Sequence, residues 1–216
     1  MPQRSETFLM NNKNLAGLGL VLVIFFGFFS FLVAGNIFTS IDFDITVRLQ
    51  DNIPRSFDTF FSSFSILGSA EITFIILVIL LTLSRKIKSF GVVFLFFLAI
   101  FIELIGKVII SQPGPPIFMQ RTELAVGFPS FYVHPGFAYP SGHVLRTAFV
   151  AIIAWYLSLR SKKLPKEGKI LIALFILILS LIMFLSRVYL GEHWSTDVIG
   201  GILLGAGFAL ISLFFL

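Results

Sequence analysis

Cysteine is absent from the 216 residues, which excludes disulfides, thiol catalysis and thiolate metal sites. Charge is scarce as well. Lys, Arg, Asp and Glu make up 12% of the chain and there are three histidines, so few side chains can do acid–base or nucleophilic work and the position of each carries weight. No internal repeat or low-complexity linker is present, and the apolar runs lack the in/out alternation of a membrane barrel. What is abundant is hydrophobicity: 57% of residues, 28 of them Phe, with mean hydropathy +0.99. That composition excludes an ordinary soluble domain and reads as a polytopic membrane protein.

Six apolar stretches stand out, at 15–34, 66–83, 90–110, 144–159, 170–185 and 198–216. With a few flanking residues each reaches the ~20 residues that cross a bilayer core as helix. The expectation is an all-α protein with six transmembrane helices and one domain over 1–216. The first stretch exceeds a signal-peptide apolar region and no small-residue cleavage site follows, so it reads as a retained helix.

Lys and Arg set the orientation. Arg85, Lys86 and Lys88 lie between stretches two and three, and Arg160, Lys162, Lys163, Lys166 and Lys169 between four and five. Both connections should be cytoplasmic, with both termini, while the alternate connections face outward. The net charge of +5 is then a topology signal and implies no nucleic-acid partner.

Two outer connections hold structure. Between residues 36 and 64, Phe43, Val47, Phe57, Phe60, Phe61 and Phe64 interleave with Asp and Arg, predicting one or two short amphipathic helices on the membrane surface. Residues 111–139 contain Pro113, Pro115, Pro116, Pro129 and Pro135 and form a long irregular loop between the third and fourth helices.

That loop ends in Pro140-Ser141-Gly142-His143. Pro140 sets a turn and Ser141 suits a helix N-cap. The following N–H groups, with the positive end of the helix dipole, favour an anion. Gly142 gives a phosphoryl oxygen close access to the backbone, and His143 can donate a proton to a departing oxygen. Alone, the tetrapeptide reads equally as a helix cap with an incidental histidine. Further on stand Ser186, Arg187, His193 and Asp197. A carboxylate beside an imidazole fixes its tautomer and leaves the other ring nitrogen free to attack phosphorus. Helical spacing of His193 and Asp197 puts both on one face. Arg187 offers a fork of donors to phosphate, or a structural charge that snorkels to the interface.

Together the two stretches resemble the type 2 phosphatidic acid phosphatase family, whose motifs are Lys-x6-Arg-Pro, Pro-Ser-Gly-His and Ser-Arg-x5-His-x3-Asp. The last two match in full. The resemblance implies a metal-independent, cofactor-free reaction through a phosphohistidine, with His193 attacking, Asp197 orienting it and His143 protonating the leaving group. Lys107, Ser141, Gly142 and Arg187 would hold the phosphate. The first motif departs from pattern, because Gly114 stands where the family has Arg, between Lys107 and Pro115. Arg146, three residues after His143, is the expected substitute, and Arg121 a second candidate. Glu103, one turn before Lys107, is placed for an ion pair. Glu71 reads as structural, His134 as a solvated loop histidine rather than a headgroup contact, and Glu192, next to His193, as a residue that either tunes it or repels an anionic substrate.

The resemblance implies a lipid phosphate substrate within the bilayer. Bacterial members point to phosphatidylglycerol phosphate, phosphatidic acid or undecaprenyl diphosphate. Aromatic residues Phe128, Phe131, Tyr132, Phe137 and Tyr139 suit an interfacial headgroup. The expected location is the cell membrane with the site extracytoplasmic, and no obligate protein partner is expected. A lipid phosphotransferase using the same phosphohistidine, or a disabled phosphate-binding relative, are the alternatives. Zinc on His143, His193 and Asp197 is disfavoured by the neighbouring Lys107, Arg146 and Arg187.

Overall fold

A computed structural model describes residues 11–84, 89–122 and 137–216. His134, Phe128, Phe131, Tyr132 and the basic residues Arg85, Lys86 and Lys88 lie outside them. Eight α-helices run along the described chain: α1 Asn12–Ala34, α2 Thr39–Asn52, α3 Asp58–Ser65, α4 Ala70–Ser84, α5 Phe90–Ile110, α6 Gly142–Arg160, α7 Lys166–Tyr189 and α8 Ser195–Ser212.

Five of these (α1, α5, α6, α7 and α8 with the 3-10 turn after it) are long and apolar enough to cross a membrane. The protein is a multi-span membrane protein. Buried share separates the five. Within the apolar window of α8 61% of residues are buried, against 11% for α7 and 22% for α1 and α5. Hence α8 is the hub, and α1, α5 and α7 turn apolar faces outward, where residues such as Phe28, Phe94 and Phe175 are exposed. A helix hydrophobic all round is what a lipid-facing span requires.

Small residues let α8 occupy the centre. A Cβ on Gly205 would lie 2.9 Å from the backbone of Leu145 in α6, and one on Gly19 of α1 would lie 2.5 Å from the carbonyl oxygen of Gly207. Side chains there would force the helices apart, so backbone-to-backbone packing holds α1, α6 and α8 together, as is common between membrane helices.

The second expected span is bent, and its main helix starts later than the apolar run. No helix runs through 66–83: a 3-10 turn at Ile66–Gly68 and extended Ser69 precede α4. At 15 residues, α4 is about 22 Å long, short of the ~30 Å apolar core. Arg55–Gly68 and Ala70–Ser84 together pass as a sixth span bent by 54°. The break has a non-local cause that an apolar run cannot reveal: the Gly68 carbonyl accepts from Arg146 Nε at 3.1 Å.

The expected amphipathic segment forms α2 and α3, but both press polar groups inward. Gln50 Nε2 donates to the Tyr189 carbonyl at the C-terminal end of α7 (2.9 Å) and to the Met119 carbonyl (2.7 Å). Phe61 packs its ring 4.9 Å from that of Tyr189, whose hydroxyl donates to Asp58. The long loop is closed at its neck: Pro113 and Phe137 form an antiparallel bridge, and Ala138 N donates to the Gln112 carbonyl at 2.9 Å.

The two ends of the bundle differ in chemistry. At one end Asn12 accepts from Tyr156 Oη (2.8 Å) and Arg160 Nη2 (3.1 Å), beside the basic connection from α6 to α7. The opposite end gathers the start of α6, the end of α7 and the start of α8, which carry the motifs.

Candidate active site

The chain from Arg187 to Asp197 folds back on itself. Both Glu192 N and His193 N donate to the Arg187 carbonyl at 3.2 Å, capping the end of α7. Gly191 makes the reversal at φ +65, where a Cβ would strike the Met119 backbone, so only glycine fits. The turn returns Glu192 and His193 to the level of the Arg187 side chain.

His193 stands just before α8 and Asp197 lies in its first turn. Their contact, His193 Nδ1 to Asp197 Oδ2 at 3.4 Å, is therefore made across the turn into the helix; the shared helical face expected from the spacing is not how they meet. Asp197 Oδ2 also accepts from Trp194 N at 2.8 Å, which fixes the carboxylate as a local cap. The indole of Trp194 donates to the Pro113 carbonyl at 2.9 Å and ties the turn to the loop neck. His193 is 5% exposed and Asp197 fully buried. Burial, and next the Lys107 ammonium, push the His193 imidazole down to about 3, while Glu192 acts in the opposite direction. The ring is neutral at physiological pH, with its lone pair available.

The other motif is stapled to this one. Ser141 N donates to the Asp197 carbonyl at 3.0 Å, and the Ser141 carbonyl accepts from Leu145 N in the first turn of α6. Ser141 is the N-cap by backbone, but its hydroxyl makes no capping bond. His143, partly buried, is in the electrostatic reach of Arg187, Arg146, His193 and Lys107. Gly68 explains its seat, since a Cβ there would lie 3.0 Å from His143 Cδ2.

Three cations surround the histidines, each with a resident carboxylate. Glu103 holds Lys107 (3.7 Å) and Arg146 (3.4 Å); Lys107 Nζ also reaches the Ala138 carbonyl at 3.5 Å. Arg187, fully buried, meets Glu192 at 2.5 Å. A buried charge is tolerable only when paired. The space where a Gly142 Cβ would stand is taken by the Glu103 carboxyl and by Arg146 Nη1 at 2.8 Å, so the glycine admits this ion pair. Three buried polar atoms here have no hydrogen-bond partner among the described residues: Ser141 Oγ, Arg187 Nη2 and Asp197 Oδ1. Such atoms are rare in a folded protein, and all three belong to motif residues.

Two expected contributors lie elsewhere. Arg121 stacks on the Tyr189 ring (5.2 Å) and donates to the carbonyls of Gln50 (3.0 Å) and Ile53 (3.3 Å), so it braces α2 against α7. Tyr139 is fully buried, stacked 6.1 Å from Phe26 and bonded to Ser30 Oγ at 2.8 Å. It is a core residue, not a headgroup contact. One contributor carried no sequence signal. Asp42 of α2 accepts from Thr196 N (2.9 Å), Thr196 Oγ1 (2.6 Å) and Ser195 Oγ (2.5 Å), capping α8 from a distant segment.

A family model described as the PAP2 superfamily matches residues 88–215, more than half the chain and every motif residue above. The chain belongs to the PAP2 superfamily. It is 32% identical over 135 residues, 62% of this chain, to an undecaprenyl-diphosphatase of Sulfolobus acidocaldarius. Over 70 residues, 32% of this chain, it is 39% identical to phosphatidylglycerophosphatase B of Bacillus subtilis. These alignments span 58% and 34% of the two relatives' lengths. Among solved structures, the transmembrane PAP2 type phosphatidylglycerolphosphate phosphatase from Bacillus subtilis superposes with a TM-score of 0.72 at 22% identity, covering 90% of this chain and 93% of that one. Aquifex aeolicus LpxE gives 0.58, also at 22% identity, covering 79% and 93%. At that identity the likeness speaks for the fold.

Proposed function

We propose that this PAP2 protein is a lipid phosphatase of the cell membrane that hydrolyses a phosphomonoester or the terminal bond of a diphosphate through a phosphohistidine. One observation carries the reading. A buried His193 with a carboxylate on Nδ1 is joined by backbone bonds to Arg187 and, through Asp197, to Ser141, whose Nη2 and Oγ are buried donors with no hydrogen-bond partner among the described residues.

The reaction runs in two displacements. Asp197 accepts a hydrogen bond from the proton on His193 Nδ1, so the lone pair is on Nε2, which attacks phosphorus as the phosphorus–oxygen bond to the lipid breaks. His143 gives its proton to the departing oxygen. Neutral again, His143 takes a proton from water, whose oxygen attacks the phosphohistidine and frees inorganic phosphate and His193. Lys107, Arg187, the Ser141 hydroxyl and the backbone N–H groups at the start of α6 stabilise the charge on the transferring group. Arg146, bound to Glu103 and Gly68, supports that field from one layer further out.

The substrate is a membrane lipid with a terminal phosphate. The names of the two similar proteins bring undecaprenyl diphosphate and phosphatidylglycerol phosphate forward, and phosphatidic acid carries the same reacting group. The basic α6–α7 connection, opposite the site, favours an extracytoplasmic site with cytoplasmic termini.

The test is phosphate release by the purified full chain in detergent with chelator present, across these three lipids, for the native protein and His193→Ala. Release by the native protein and its loss in the variant are expected. Release that survives in the variant overturns the phosphohistidine; release abolished by chelator overturns the metal-independent route.

A further inference from the structure

Among the described residues, Glu192 is the one carboxylate at the site that touches a proposed phosphate-binding cation and is also open to solvent. Its Oε2 lies 2.5 Å from Arg187 Nη1, and its Oε1 accepts from Thr122 Oγ1 at 2.7 Å. The Arg187 side chain is fully buried while that of Glu192 is 22% exposed. Glu103, by contrast, is 6% exposed and clamped between two cations. Resting on the proposal that Arg187 binds the phosphoryl group, we infer that Glu192 is a built-in competitor: its carboxylate occupies the Arg187 fork in the empty site, leaves when a phosphoryl group lands, and returns as inorganic phosphate departs.

The physical need is plain. A guanidinium buried this deeply requires an anion at all times, whereas substrate is present only part of the time. Carboxylate and phosphate both match the guanidinium fork, so one can stand in for the other. The turn that carries Glu192 is held by backbone bonds to the Arg187 carbonyl and by Gly191, so the exchange needs only side-chain rotation. Its return favours product release, since a site that kept phosphate tightly would stall after each turnover.

Competition has a quantitative signature. When a fraction of molecules has the fork free, the apparent dissociation constant of any anion equals its intrinsic value divided by that fraction. Removing the competitor therefore tightens every anion by one common factor, whatever its charge. Repulsion through space would instead tighten a dianion more than a monoanion, and loss of a bond that merely positions Arg187 would weaken both.

The experiment is calorimetric titration of the full chain in detergent with inorganic phosphate and with dimethyl phosphate, for the native protein, Glu192→Gln and Thr122→Val. Glu192→Gln is expected to tighten both anions by the same factor, on the order of tenfold, and Thr122→Val, which removes one hydrogen bond to the carboxylate, by a smaller common factor. A factor that grows with ligand charge, no change, or weaker binding overturns the inference while leaving the phosphate site standing. Absence of phosphate binding by all three proteins would instead remove the phosphate reading on which the inference rests.

Discussion

Asp42 offers the sharpest test of how the fold holds the site. Its carboxylate is 2% exposed and takes three donors from the first turn of α8: Thr196 N, Thr196 Oγ1 and Ser195 Oγ. Asp42→Ala removes the acceptor and leaves the nearly buried Thr196 amide and hydroxyl unpaired. An orphaned buried donor costs about 1–3 kcal/mol, and loss of a helix cap on its own about 0.5–2 kcal/mol. Because the threonine hydroxyl can rotate to another acceptor and Ser195 is partly open to solvent, about 3–4 kcal/mol in all is expected. Asp42→Asn keeps one acceptor oxygen for Thr196 N and should cost about 1–2 kcal/mol. The same first turn carries Asp197, whose carbonyl holds Ser141 N and whose carboxylate meets His193. Phosphate release should therefore fall in the same order as stability, through kcat more than KM. With no cysteine for thiol dyes, unfolding in detergent is best followed by intrinsic fluorescence, to which Trp194 beside the site contributes. If Asp42→Ala unfolds within about 0.5 kcal/mol of the native protein and turns over normally, the carboxylate is not what fixes the start of α8.

Two further outcomes follow from the site. Because the His193 imidazole is held down at about 3 in the folded state against roughly 6.5 unfolded, the unfolded chain binds the extra proton between these values. Stability should thus be fully retained above pH 6.5 and decline as pH falls toward 3, by at most about 1.4 kcal/mol per pH unit; thermal unfolding of the native protein and His193→Gln at pH 7, 6 and 5 should show the slope flattened in the variant. Gly114→Arg should restore the missing cation: backbone φ there lies outside the left-handed region and a Cβ would meet Ala138 Cβ at 3.6 Å and Glu192 O at 3.8 Å, ordinary van der Waals contacts. One added charged donor of about 1.5–3 kcal/mol predicts kcat/KM for a lipid phosphate higher by roughly tenfold or more, and an unchanged or lower value would show that position 114 does not face the reacting group.

Much of this architecture is legible in the sequence because bilayer physics is local. A continuous apolar run must satisfy its own backbone, hence α1, α5, α6, α7 and α8 stand where composition puts them. The second run failed as a single helix because its break is dictated from outside, by Arg146 drawing on the Gly68 carbonyl and by His143 seated against the absent Gly68 side chain. Neither is visible in residues 66–83. Asp42 was indistinguishable from its solvated neighbours Asp44 and Asp51, since what sets it apart is a helix start that lies 154 residues on. Tyr139 likewise reads as one more interfacial aromatic until Ser30 and Phe26 are seen to enclose it.

The charges obey the same division. Glu103 and Lys107 sit one helical turn apart, so their pairing follows from spacing alone. Yet Glu103 also holds Arg146 from 43 residues away, and Gly142 is the small residue that lets the two meet. A glycine whose place in the motif suggests room for phosphate is thereby used by the protein's own ion pair. Phosphate-binding motifs name the cations of such a site and leave out the anions that keep those cations tolerable while no substrate is bound. Among the described residues the anions are Glu103, buried between two partners, and Glu192, within reach of solvent. On the proposed exchange, that difference in exposure selects the cation: Glu103 fixes Lys107 and Arg146, and Arg187 is where an arriving phosphoryl group would find a carboxylate able to leave.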